Sequence, residues 1–189
     1  MDISSTHDCK YTSWFWLSQV TGEIKPFNCG SWSCNQHQGL TAYHWACRVS
    51  EAHPERMLTL TNIPHDKATA YLGFQHLIQA IRHEGIRMEY CRFLEVGQNT
   101  GMRHFHIAQR GDYIPQRWLS SQSSKNGLGR IVHIEACHGA GPAFYLSKYI
   151  TKDNFSLPGW RKVSSSRGFF RKKEQPADVR DDDWLLIRA

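Results

Sequence analysis

Arg103-His104-Phe105-His106-Ile107 alternates imidazoles with apolar side chains, and that alternation decides how the fold is read. Successive side chains of a β-strand point to opposite faces, so His104 and His106 share one face while Phe105 and Ile107 share the other. Two imidazoles side by side on a strand make half of a metal site. Upstream, Phe93-Leu94-Glu95-Val96 sets Glu95 between apolar neighbours in the same way. Gln98-Asn99-Thr100-Gly101, between the two stretches, has the composition of a hairpin turn, which returns Glu95 to the face of the histidines. Three ligands then converge with coordination positions left open.

A second stretch, Tyr145-Leu146-Ser147-Lys148-Tyr149-Ile150-Thr151-Lys152, sets two phenols four residues apart. On a helix Tyr145 and Tyr149 stack on one face, and Lys148 and Lys152 each lie within a turn of a tyrosine. A phenol becomes a usable nucleophile when its phenolate is stabilised or the group it attacks is polarised. A divalent cation on a phosphodiester, with a lysine nearby, does this, and the product is a phosphotyrosine link to DNA. The plainer reading of the stretch is an amphipathic core helix with snorkelling lysines.

Thr59-Leu60-Thr61, His104-Phe105-His106 and the repeated Tyr-x-x-Lys of residues 145–152 resemble, in order, the three motifs of the HUH endonucleases. Within that superfamily the chain is similar to rolling-circle replication initiators of small single-stranded DNA phages and plasmids, some of which carry paired tyrosines. The resemblance spans residues 57–152, and its specificity lies in the ordered combination. It implies an HUH-type core that nicks and rejoins single-stranded DNA at a replication origin. Tyr145 or Tyr149 attacks, a 5′-phosphotyrosine forms and a 3′-hydroxyl is released; a second tyrosine permits a second cleavage while the first is occupied. Glu95, His104 and His106 would hold Mg²⁺ or Mn²⁺, the histidines favouring Mn²⁺ and cellular abundance Mg²⁺. Lys148 and Lys152 would neutralise the phosphate. The chain has no Gly-x-x-x-x-Gly-Lys motif, so a host helicase, like a host polymerase, is an expected partner.

Periodicity gives the fold by a separate route. A strand at 57–61 is followed by a helix opened by Pro64 and Asp66, with Tyr71, Phe74, Leu77, Ile78 and Ile81 as its apolar face and Gly85 as its stop. Strands at 87–96 and 103–109 follow, then a helix from Pro115 with Trp118 and Leu119, and a strand at 130–136. Gly139, Gly141 and Pro142 lead into the tyrosine helix. This is an α+β order, the split β-α-β arrangement of ferredoxin-like antiparallel sheets with flanking helices, in which the first and third strands lie side by side. His104 and His106 would therefore sit beside Thr59 and Thr61, under the tyrosine helix. Thr59 and Thr61 read as structural supports.

Three segments are expected: an N-terminal extension at 1–52, the endonuclease core at 53–160 and a tail at 161–189. In the extension, residues 11–28 suggest a hairpin built from Trp14, Trp16 and Phe27 around Val20-Thr21-Gly22-Glu23, and residues 40–52 have helical spacing. Of six cysteines, Cys29 and Cys34, with Cys9, His37 or Cys47 to complete the set, form a candidate structural zinc site. Small buried thiols are the plain alternative. The tail opens with six basic residues and no acidic ones over 161–173, so Arg161, Lys162, Arg167 and Arg171, together with Arg103, are candidate contacts to a DNA backbone. A solvated tail explains the same run. It inverts to Asp181-Asp182-Asp183 before Trp184-Leu185-Leu186-Ile187, a segment suited to docking.

A net charge of +6 and a pI near 9.1 favour a polyanionic partner. No apolar run is long enough to cross a bilayer and no signal-peptide core is present, which gives a cytoplasmic expectation in a host cell and no membrane partner. Two histidines and a carboxylate also hold non-haem iron in oxygenases, but that reading explains neither the tyrosine pair nor the basic run. A non-catalytic nucleic-acid-binding sheet would display aromatic residues where this one has histidines. The same motifs serve single-strand transposases and plasmid relaxases.

Overall fold

A computed structural model describes residues 9–97, 100–137, 157, 159–170 and 183–188. In chain order the elements are β1 (Trp14–Ser18), β2 (Ile24–Pro26), α1 (Gln38–Glu51), β3 (Arg56–Ile63), α2 (Lys67–His83), β4 (Met88–Val96), β5 (Arg103–Gly111), α3 (Gln116–Lys125), β6 (Val132–Ala136), β7 (Val163–Ser165) and β8 (Trp184–Arg188). β1, β2 and β8 make a small antiparallel sheet in the order β2-β1-β8. The larger sheet runs β6-β3-β5-β4-β7, with every neighbouring pair antiparallel. β3 and β5, the first and third strands of the β-α-β-β-α-β run, are thus neighbours.

Alternation along β3 to β5 sends Leu58, Leu60, Leu94, Phe105 and Ile107 to one side, where α2 meets them with Ala70, Phe74, Leu77, Ile78 and Ile81. Those α2 positions recur at helical spacing, so one stripe of the helix is apolar. Phe74 meets Phe105 edge to face at 5.5 Å. Asp66 caps the start of α2, its Oδ2 accepting the Thr69 backbone N–H at 2.7 Å. Gly85 ends it: its φ of +74° lets its own N–H reach Arg82 O at 3.0 Å and that of Ile86 reach Ile81 O at 3.2 Å. Arg92, also on this side, is buried between Phe105, Phe74 and Tyr71, its guanidinium 4.3, 4.4 and 5.0 Å from the rings. Burial lowers its pKa to about 10.

The opposite side of the sheet is covered at one end by α1. There Ala42, Val49 and Ala52 pack with Met57, Cys91, Phe93, Ala108 and Phe169. Arg110 fastens this end, donating through Nη1 to Ala52 O at 2.7 Å and through Nη2 to Gly168 O at 2.9 Å. Two short strands fall in the stretch expected as a tail: β7 pairs with β4, and β8 pairs with β1. Both partners lie far away in sequence, so local periodicity could not show the pairing.

β6 lies tight against β3. Thr61 donates to Ile131 O through its backbone N–H at 3.1 Å and its hydroxyl at 2.9 Å. A Cβ at Gly129 would run into the Thr61 carbonyl. The Gly129→Ala variant should therefore lose about 3 kcal/mol, the upper range for forcing extra volume into packed structure. That corresponds to a melting temperature lower by roughly 6–12 °C for a chain of this size, measurable by circular dichroism.

Candidate metal centre

Strand register positions each side chain of the face opposite α2. Thr61 pairs with His104, and His104 with Glu95; one row further along, His133, Thr59, His106 and Phe93 follow across four strands. Cα partners in antiparallel strands share a face, so Glu95, His104 and His106 stand together. The third row, Met57, Ala108 and Cys91, is the one α1 covers. α1 therefore walls one side of the histidine patch, with Trp45 edge to face against Phe93 at 6.3 Å.

His106 is held from both ring nitrogens. Its Nε2 lies 2.5 Å from Glu95 Oε2 and its Nδ1 lies 3.2 Å from Thr59 Oγ1. Its side chain is only 3% exposed and that of Glu95 15%. The neighbouring cations Arg92 and Arg103 project to the other side of the sheet by strand parity. His104 is less buried, and its ring lies 6.2 Å from that of His106 at an interplanar angle of 28°. Burial lowers the His104 pKa below the usual histidine value and the neighbouring His106 adds to this, while Glu95 opposes it. Neutral imidazole is the form that ligates metals. Thr59 holds the His106 ring from the nitrogen facing away from Glu95, as the supporting partners of metal-binding histidines do.

A second cluster lies beside α1. The Sγ atoms of Cys9, Cys29 and Cys34 and a ring nitrogen of His37 all lie within 4.8 Å of one another, the one such group among the described residues. His37 Nδ1 is 3.2 Å from Cys9 Sγ and 3.6 Å from Cys34 Sγ. Of the alternatives the sequence left open, Cys9 and His37 join Cys29 and Cys34, and Cys47 does not. Burial raises the Cys29 pKa to about 11. For Cys34 burial acts in the same direction, but N–H groups of His37 and Gln36 directed at its sulfur outweigh it, and its pKa falls. This Cys₃His set could bind a metal such as zinc.

Tyr145, Lys148, Tyr149, Lys152 and Arg171, and the Gly139 to Pro142 approach, lie outside the described residues. Arg161 and Arg167 are exposed, whereas Lys162 is 3% exposed. Arg103 donates to the carbonyls of Pro64 and His65 and lies over the Trp160 ring at 4.6 Å, tying the β3-α2 connection to the loop before β7. A basic groove that the sequence reading passed over runs between α3 and β6, lined by Arg117, Lys125 and Arg130 with the hydroxyls of Ser120, Ser121 and Ser124. Its signal was available: residues 113–134 carry those three cations and no acidic residue.

The fold and site define an α+β protein with two histidines and a glutamate clustered on one face of its larger sheet. Residues 55–154, just over half of the chain, match the family of replication-associated protein ORF2, and the chain belongs to that family. It is accordingly a protein of DNA replication, of the Rep-like initiator kind. No curated protein and no solved structure matches it. Among the described residues no helix is long and apolar enough to cross a membrane.

Proposed function

We propose that this chain is an HUH-type endonuclease with a ferredoxin-like core that nicks and rejoins single-stranded DNA at a replication origin, initiating rolling-circle replication of a phage or plasmid. The observation that carries the reading is the convergence of Glu95, His104 and His106 on one sheet face, braced by Thr59, inside the family-matching stretch that also contains Tyr145 and Tyr149. The residue types on that face, two imidazoles and a carboxylate with Glu95 Oε2 already 2.5 Å from His106 Nε2, suit Mg²⁺ or Mn²⁺, and His104, whose ring lies 6.2 Å from that of His106, would have to turn inward to complete the set. Such a cation supplies Lewis-acid polarisation of the scissile phosphate.

The residues of the chain do the rest. Glu95 and Thr59 fix the His106 ring, and burial lowers the His104 pKa, favouring its neutral form. Tyr145 or Tyr149 attacks phosphorus in line: the Tyr Oη–P bond forms, the P–O3′ bond breaks, the phenolic proton is lost and the 3′ oxygen gains one. The reverse reaction joins strands. Lys148 or Lys152 offsets the charge that builds on the phosphoryl oxygens. Arg161 and Arg167, with the cations of the α3-β6 groove, supply sequence-independent attraction for the DNA backbone.

The test is incubation of the full chain with single strands carrying candidate origin sequences, with Mn²⁺, with Mg²⁺ and with chelator. The expected result is metal-dependent appearance of a protein-DNA adduct stable to denaturant, together with a fragment that a polymerase extends from its 3′-hydroxyl. Binding without cleavage, or cleavage leaving a 3′-phosphate, contradicts it.

A further inference from the structure

We infer that Cys9, Cys29, Cys34 and His37 hold a structural zinc ion that fixes α1 as the wall of the histidine face. The four ligands come from two pieces of chain: Cys9 from the segment before β1, and Cys29, Cys34 and His37 from the connection between β2 and α1, whose last residue is the N-cap position of α1. Zinc bound tetrahedrally at about 2.3 Å to sulfur and 2.0 Å to nitrogen sets its ligands about 3.5–3.8 Å apart. His37 Nδ1 already stands 3.2 and 3.6 Å from two of the sulfurs, and all four atoms lie within 4.8 Å. The backbone N–H of His37 also points at Cys34 Sγ, 3.3 Å away, which stabilises a thiolate there.

Other readings of the cluster fit less well. All its cysteines are free thiols, and a disulfide would use only two of the three. Four protein ligands close the coordination sphere, so the ion is structural and leaves no position for substrate. Cys9, Cys34 and His37 are buried, at 9%, 0% and 8% exposure, and Cys29 is half-buried; core packing by thiols alone gives no reason for an imidazole among them. β2, beside them, is three residues long and exposed throughout. Short segments without a sufficient core need a covalent or metal staple.

The consequence reaches the sheet. His37 occupies the N-cap position of α1, and α1 with the Ala52 that follows it buries Ala42, Val49 and Ala52 against the strands and sets Trp45 on Phe93, the register partner of His106. Loss of the ion would release the start of that wall.

The experiment is elemental analysis of the full chain after exhaustive dialysis, combined with alkylation of its thiols read by mass spectrometry. About one zinc per chain is expected, with Cys9, Cys29 and Cys34 alkylated at least about tenfold more slowly than Cys47 until a strong chelator is added. The His104→Ala plus His106→Ala variant should keep its zinc, and His37→Cys, which preserves four ligands, should keep it too. Cys34→Ser should lose it. A chain purified from zinc-supplemented culture with substoichiometric zinc, and with these cysteines as reactive as Cys47, overturns the inference. So does zinc that leaves with the histidine pair and stays in Cys34→Ser. None of these readouts depends on nicking, so failure of the endonuclease reading would leave the outcome interpretable.

Discussion

The Tyr145→Phe plus Tyr149→Phe variant is expected to form no covalent adduct with an origin single strand, a loss of at least about a thousandfold, because phenylalanine lacks the hydroxyl that would form the link. Phenylalanine keeps the ring and removes only the hydroxyl, so folding and DNA affinity should be preserved, and a filter-binding measurement on the same preparation checks this. The single variants separate the roles. If the two phenols alternate, each single variant still makes one adduct but fails to transfer a second strand. If one phenol does everything, its variant alone behaves like the double. Adduct formation that survives the double substitution removes both tyrosines from the chemistry.

The His106→Ala variant is expected to lower metal-dependent cleavage by at least about a hundredfold, since on the proposed reading it removes a ligand and frees the carboxylate beside it. His106 is the better-anchored of the two histidines, touching Glu95 on one nitrogen and Thr59 on the other. Its loss leaves the largely buried Glu95 carboxylate without that hydrogen bond. The matched control is His133→Ala. His133 lies on the same face as the register partner of Thr59, but it is exposed and on the edge strand β6. Its variant should stay within about twofold of the parent, as surface substitutions away from a site usually do. Equal losses in both variants would mean a general effect of histidines on DNA binding, and the ligand role of His106 would fall.

Local forces decide how much of this was legible in the sequence. Strand parity put His104, His106 and Glu95 on one face, and period-two alternation with a turn between the strands is enough to specify that. The helix face at Phe74, Leu77, Ile78 and Ile81, the start at Asp66 and the stop at Gly85 are equally local signals, and they appear where the residues indicate. The choice between Cys47 and the pair Cys9 and His37 was beyond the sequence. Cys9 meets His37 across 28 residues, and only tertiary packing brings them together. Lys162 illustrates the opposite difficulty: it sits in a basic run that reads as solvated, yet it leads into β7 at the edge of the large sheet and is buried there. Charge composition alone does not register that pairing. β8 was hidden for the same reason, since its partner β1 lies at the far end of the chain.

The central step of the proposed reaction is attack by a phenol from residues 145–149 on a phosphate held at the histidine face. Proteolysis of the protein-DNA adduct, followed by mass spectrometry of the nucleotide-bearing peptide, tests that most directly. The prediction is a nucleotide joined through its 5′-phosphate to Tyr145 or Tyr149, formed only when a divalent cation is present and His104 and His106 are intact. A nucleotide on any other residue, or one attached with the metal removed, would contradict it.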